Sequence, residues 1–314
     1  MRTLVVGAGA VGGYFGGRLA ETGRDVTFLV RPRRAAELAA AGLRIRSRHG
    51  DATIASPQTV LAENLAQPFE VILLSCKAYD LDSAIESFAP AVGPDTAILP
   101  LLNGMRHLRI LGDRFGSGRV LGGLGFIAAT LATTDDDKRE IVHLSEPHGL
   151  TFGEIDGGIS PRVRAISDLM QGAIFVPQSS PAIVLEMWEK WVFLATLAGS
   201  TCLMRASIGN IAAAPGGTDF ILRLFDECRS IAVAEGYPPR EESLERARGT
   251  LTSLASTLTA SMLRDVESGN KVEADHIMGD LLRRAHAHGS DAPLLSLAYT
   301  HLKSYEARRG ATAP

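Results

Sequence analysis

The pattern of apolar and polar positions changes character once along the chain. In the first half, short apolar runs alternate with stretches of helical period. Leu4-Val5-Val6 reads as a strand, then Val11, Phe15 and Leu19 recur at helical spacing, with Gly23 placed to cap that helix. Val26-Thr27-Phe28-Leu29-Val30 forms a second strand and Val71-Ile72-Leu73-Leu74 a third, bounded by Pro68 and Lys77. Ala97-Ile98-Leu99 and Val120-Leu121-Gly122 give weaker strand signals. Continuous apolar strands separated by helices predict a doubly wound α/β domain, its parallel sheet covered on both faces. Phe126-Ile127-Ala128-Ala129 and Ile141-Val142-His143-Leu144 then flank an acidic stretch from Asp135 to Glu140. They predict an antiparallel pair, with the Asp135-Asp136-Asp137 run as a solvated turn in preference to a metal site.

From Gln178-Ser179-Ser180-Pro181 onward the period is helical almost throughout. Ser180 is expected to cap the first of these helices, with Pro181 in its first turn. Thr218 opens another, in which Ile221, Leu224, Phe225, Cys228, Ile231 and Ala232 share one face and Gly236 and Pro238 impose the stop. Further helices are expected over 250–266, 274–287 and 293–308. The predicted division is therefore a dinucleotide-binding domain over 1–179 and an all-helical substrate domain over 180–314.

Composition narrows the class without changing this picture. A chain of 314 residues with 46% hydrophobic and 21% charged residues can bury a core without staples. A net charge of -3 gives no reason to expect nucleic acid or an acidic membrane as partner. Three widely spaced cysteines, Cys76, Cys202 and Cys228, fit neither a disulfide framework nor a CxxC motif, and Cys76 reads as a buried small hydrophobe. The chain enters its first strand directly and lacks an apolar run of membrane-spanning length, so a reducing cytoplasm is the expected compartment.

The first chemistry-bearing motif is Gly7-Ala8-Gly9-Ala10-Val11-Gly12, a GxGxxG between a strand and a helix. Its first glycine permits the tight turn, its second lets backbone approach a pyrophosphate, and its third allows close helix–strand packing. The fold expected is accordingly of Rossmann type. At the end of the second strand, where an NAD site places an acidic residue, stands Val30-Arg31-Pro32-Arg33-Arg34. A guanidinium suits a 2′-phosphate, so NADP(H) is expected, held by Arg31 with help from Arg34 or Arg33. Lys77 and Asn103 fall at the carboxyl ends of strands, where open α/β sheets bind ligands. The histidines are scattered and suggest neither a metal site nor a competing mechanism.

Taken with Lys77, Asn103-Gly104-Met105, His143, Gly153-Glu154, Trp188-Glu189-Lys190, Ser261-Met262 and Glu273-Ala274-Asp275, the chain resembles the ketopantoate reductase (2-dehydropantoate 2-reductase) family over nearly its whole length. That resemblance implies reduction of a 2-keto acid by NADPH, with ketopantoate and pantothenate biosynthesis as the first expectation. It implies Lys190 as general acid at the substrate carbonyl and Glu273 orienting the new hydroxyl or Lys190 itself. Ser261 would bind substrate, and Lys77 and Asn103 would line the nicotinamide ribose and substrate. The small keto acid would lie in a cleft between the domains, and a homodimer is compatible with the sequence. One position pair departs from the family: its usual asparagines four and eight residues after the lysine are here Leu194 and Ala198. A bulkier 2-keto acid, or a non-catalytic NADP(H)-binding redox sensor, are therefore the alternatives to the first expectation.

Overall fold

The computed structural model describes residues 1–135 and 137–311. Asp136 of the acidic turn and the last residues of the expected second domain, 312–314, lie outside the described residues. The chain forms two compact units, one comprising Met1–Leu102 with His107–Val184, the other Asn103–Arg106 with the chain from Leu185 onward.

The first unit contains β1 (Thr3–Val6), α1 (Ala10–Glu21), β2 (Val26–Leu29), α2 (Pro32–Ala41), β3 (Leu43–Arg46), β4 (Ala52–Ile54), β5 (Gln58–Val60) and β6 (Phe69–Leu74). It continues with α3 (Leu81–Phe88), β7 (Val92–Pro100), α4 (Arg106–Phe115), β8 (Leu121–Thr133), β9 (Arg139–Glu154), α5 (Pro161–Met170) and β10 (Val176–Ser179). One sheet has the order β5-β2-β1-β6-β7 and all its pairings are parallel. Its order reverses between β1 and β6, so their carboxyl ends leave a crevice where open α/β sheets take ligands.

Alternation along the strands divides the core in two. Val71 and Leu73 face one cluster with Val5, Phe28 and Leu99, while Ile72 and Leu74 face the other with Leu4, Val6 and Ile98. The second cluster is closed by α3 and α4 through Ile85, Phe88 and Leu111. The first is closed by α1 and by a second, mixed sheet of order β10-β9-β3-β4, with β8 paired antiparallel to β9. This second sheet is larger than the hydrophobic pattern suggests, because β3, β4 and β10 are three or four residues long and half polar. The expected hairpin is present and longer, β8 pairing with β9 from Leu121↔Glu154 to Thr133↔Arg139.

Helix α1 lies between the two sheets, which explains its four inner glycines. A β-carbon on Gly16 would stand 2.7 Å from Val5, and one on Gly13 would stand 2.4 Å from Ile141 on the opposite side. A larger residue at either position would force the sheets apart.

The second unit is helical: α6 (Ile183–Met204), α7 (Ile208–Ala213), α8 (Gly217–Ala234), α9 (Glu241–Leu251), α10 (Ser261–Glu267), α11 (Asp280–Ala287) and α12 (Pro293–Ala311). A π-helical turn, Asp275–Gly279, leads into α11. From Trp191 to Met204 α6 carries no charged residue, as expected of a helix covered on most sides. The buried face of α8 contains Ile221, Leu224, Phe225, Cys228, Ile231 and Ala232, the face expected from their spacing.

Two helix expectations are corrected. The helix predicted over 250–266 does not exist as one element: α9 ends at Leu251 and α10 starts at Ser261. Carbonyls between them are used elsewhere, Leu258 accepting from the amide of Ile208 and Ser256 from that of Gly209. A serine- and threonine-rich stretch gives up helix readily for such bonds. Ser180 does not cap α6 directly; its hydroxyl accepts from the Ala182 amide at 3.0 Å, and the helix begins at Ile183.

Candidate functional site

The glycine turn occupies the switch point. Gly7 follows β1 with φ +95°, a conformation that only glycine adopts without strain. Gly9 is the N-cap of α1 and no side chain caps it, which leaves the first amides of the helix to solvent or ligand. A β-carbon on Gly9 would meet nothing within 4 Å, so backbone there is open to close approach. On Gly12 it would stand 2.0 Å from Ser75 Oγ and 2.4 Å from the Gly7 carbonyl, so Gly12 serves packing. Ser75 is a residue that the sequence reading missed. Its hydroxyl contacts the carbonyls of Val6 at 3.0 Å and Gly7 at 3.2 Å, tying the end of β6 to the turn. The available signal was a small polar residue directly after a fully apolar strand.

The basic cluster after β2 divides into two kinds of arginine. Arg34 is pinned, its Nε donating to the Ala8 carbonyl at 3.2 Å and its guanidinium paired with Glu37 at 3.1 Å. Arg31 is the N-cap of α2 and its side chain is 77% exposed, 3.6 Å from Asp80. Arg33 is more exposed still and pairs with Glu37. No acidic residue stands at the end of β2, and the open Gly9 backbone with an exposed guanidinium fits a dinucleotide carrying an additional phosphate. Lys77 is half-buried after β6, opening the short turn Ala78–Asp80.

In the helical unit, Lys190 lies in α6 between Trp188 and Trp191, both 1% exposed. Lys190 retains some exposed surface, yet burial of its ammonium lowers its pKa to about 8. Trp191 Nε1 donates to the Ile277 carbonyl at 2.9 Å, which joins α6 to the π turn. Glu273 is half-buried immediately before that turn, its carbonyl accepting from the amides of His276 and Ile277. The Asn103 loop packs on the same turn: Gly104 has φ +77°, and a β-carbon there would stand 3.0 Å from the His276 carbonyl. Ser261 is exposed at the start of α10, where the preceding Ala260 amide bonds Thr201 Oγ1 on α6 at 3.3 Å. Lys190, Glu273, Asn103 and Ser261 are thus all carried by α6 or by elements bonded to α6 or to its partner turn.

Beyond Lys190 the helix offers few polar groups. Leu194 is half-buried and Ala198 is 4% exposed. The Thr196 hydroxyl bonds the Val192 carbonyl of its own helix at 2.8 Å, whereas Ser200 Oγ is buried without a partner among the described residues.

Several other motif residues have structural places. Glu154 accepts from Ser160 and Arg162, which holds its carboxyl below the usual range and fastens α5 to β9. A β-carbon on Gly153 would stand 2.2 Å from the Ser180 carbonyl. His143 is not isolated. It lies with His49 and His148 in one cluster against Tyr14, the rings of His49 and His148 stacking at 3.7 Å. Burial, assisted by neighbouring positive charges, lowers the pKa of both His143 and His148. Among the described residues no group of three His, Cys, Asp or Glu is arranged to hold a metal ion. Cys76 is half-buried where full burial was expected, and burial raises Cys202 and Cys228 to about 12, far from thiolate reactivity.

The chain is similar to known proteins over nearly its whole length. Residues 3–157 match the N-terminal domain described as ketopantoate reductase PanE/ApbA, and residues 182–306 match its C-terminal domain. The chain is 39% identical over 309 residues to the uncharacterized oxidoreductase YkpB of Bacillus subtilis (strain 168), covering 98% of this chain and 100% of that protein. It is 28% identical, with a TM-score of 0.85, to the crystal structure of 2-dehydropantoate 2-reductase from Methylococcus capsulatus, covering 98% of each chain. D-mandelate dehydrogenase, solved with NADH and anilino(oxo)acetate, shares the fold at a TM-score of 0.86 and 18% identity, over 99% of this chain and 100% of that one. With both domains matched and the relatives covered end to end, this chain belongs to the ketopantoate reductase PanE/ApbA family of oxidoreductases.

Proposed function

We propose that this protein reduces a 2-keto acid to the 2-hydroxy acid with NADPH, ketopantoate to pantoate being the first substrate to test. In this reading residues 1–179 bind the cofactor and 180–314 supply the chemistry. The observation that carries it is Lys190, a largely buried lysine whose pKa of about 8 leaves it protonated yet ready to release a proton near neutrality.

Gly7, Ala8, Gly9, Ala10, Val11 and Gly12 hold the pyrophosphate against the amides of α1, and Arg31 holds the 2′-phosphate. Lys77 and Asn103 line the nicotinamide ribose and the substrate. NADPH, when bound, supplies the hydride. The Lys190 ammonium hydrogen-bonds the substrate carbonyl oxygen, stabilises the negative charge growing there and gives it a proton. Glu273 accepts from the resulting hydroxyl and keeps the lysine directed at that oxygen, and Ser261 donates to the substrate carboxylate. Exclusion of water around the Lys190 ammonium strengthens its bond to the substrate oxygen.

Leu194 and Ala198 favour a second reading of the substrate within the same chemistry. An apolar face following Lys190 leaves a polar substituent short of partners and suits a bulkier hydrocarbon group. The deciding experiment follows NADPH absorbance with ketopantoate and a panel of larger 2-keto acids. Oxidation with ketopantoate establishes the first reading and oxidation only with a larger acid the second. NADPH binding without any turnover would leave a redox sensor.

A further inference from the structure

Lys190 is followed along α6 by Trp191, whose ring is buried and whose indole N–H donates to the Ile277 carbonyl at 2.9 Å. Ile277 lies within the π turn Asp275–Gly279, two residues of which bond back to the carbonyl of Glu273. A π turn widens a helix by one residue and changes which carbonyls find partners inside it. Here one of those carbonyls accepts a side chain adjacent to the proposed acid, and the turn directly follows its proposed partner. The same junction is braced from behind. Arg284 stands over both rings, 5.4 Å from Trp188 and 5.7 Å from Trp191, and is itself held by Asp280 and Glu235. On the far side Tyr299 donates to Asp275 at 2.6 Å, and its ring lies against Gly279.

We propose that Trp191 is a positioning residue, its indole N–H fixing the register between the Lys190 helix and the Glu273 turn so that ammonium and carboxylate meet the same substrate oxygen. The inference rests on the proposed function. A buried hydrogen bond is directional where ring packing is not, so it sets the sliding position of α6 against the turn while packing sets their separation. Displacement of the acid by a fraction of an ångström from the substrate oxygen costs turnover and leaves cofactor binding alone.

The test compares Trp191→Phe with Trp188→Phe. Both shrink a ring in one cluster, and among the described residues Trp188 donates no hydrogen bond to the turn. Trp191→Phe is expected to lower kcat at least about tenfold with NADPH affinity unchanged, and Trp188→Phe to lose as much thermal stability while keeping kcat within a few-fold. Equal kcat losses in the two variants would overturn the proposal, since packing alone would then explain them. Should Trp191→Phe not fold, benzothienylalanine at position 191, with the same ring size and no N–H, gives the same comparison. If the wild type reduces no keto acid, the proposed function fails and the positioning role is decided by titrating Lys190 with an amine-reactive reagent. Its midpoint should move in Trp191→Phe and stay in Trp188→Phe; an unmoved midpoint in Trp191→Phe refutes the role.

Discussion

At the scale of single residues, Lys190 joins a cost in stability to a chemical property. Its folded pKa of about 8 lies below the ordinary lysine value of about 10.4. Between those values the folded state binds fewer protons than the unfolded chain, so this group's contribution to stability rises with pH through that window and is least favourable below pH 8. Lys190→Met should therefore abolish turnover while raising Tm, most clearly below pH 8, with the gain fading as pH increases. In the wild type, kcat/KM for reduction should be level below pH 8 and fall about tenfold per unit above it, as the ammonium is lost. A profile level through pH 10, together with a Lys190→Met variant that still turns over, would remove the lysine from the mechanism. Lys190 was singled out through resemblance rather than pattern, because a lysine between two tryptophans reads equally well as the solvated face of an amphipathic helix. Its burial is a property of the packed unit.

At the scale of elements, the glycine turn gives two substitutions of the same size with opposite expected consequences. A methyl group on Gly9 meets nothing, whereas one on Gly12 collides with Ser75 Oγ and a backbone carbonyl. Gly12→Ala should cost about 2 kcal/mol in denaturant unfolding, in the range for overpacked sites. Gly9→Ala should unfold like the wild type and, in the proposed function, weaken NADPH at least about tenfold, because its methyl would stand where the phosphate is to approach the backbone. A stable Gly12→Ala or an undiminished affinity in Gly9→Ala would contradict the corresponding role. Periodicity was a good guide where elements were long and single-faced, as in α8. It failed over 250–266, where helical spacing was present but the backbone bonds run to α7. The short strands of the second sheet were illegible for a related reason, since three polar-rich residues carry no period.

At the scale of the whole molecule, cofactor binding is linked to unfolding. NADPH at about a hundred times its Kd should stabilise the folded protein by about 2.7 kcal/mol and raise Tm by several degrees. NADH at the same concentration should raise it less, and Arg31→Ala should remove the difference between the two cofactors. Equal shifts with NADPH and NADH in the wild type would mean that the 2′-phosphate is not recognised, and a difference that survives Arg31→Ala would place the preference elsewhere than at this exposed guanidinium. Among the described residues no helix is long and apolar enough to cross a membrane.

The sequence by itself determined the parallel sheet, the glycine turn, the presence of a hairpin and the helical second half. Each of these rests on local rules, namely period, turn chemistry and the conformational freedom of glycine, which act over a few neighbouring residues. Tertiary structure alone decided that a second sheet covers α1, that Ser75 backs the turn, that Arg34 is pinned while Arg31 stays exposed beside Asp80, and that His49 joins His143 and His148 in one cluster. It also decided the state of Lys190 and the bond from Trp191 to Ile277. Burial and the closing of long-range hydrogen bonds depend on what the rest of the chain brings to a position, and a local pattern holds no record of that.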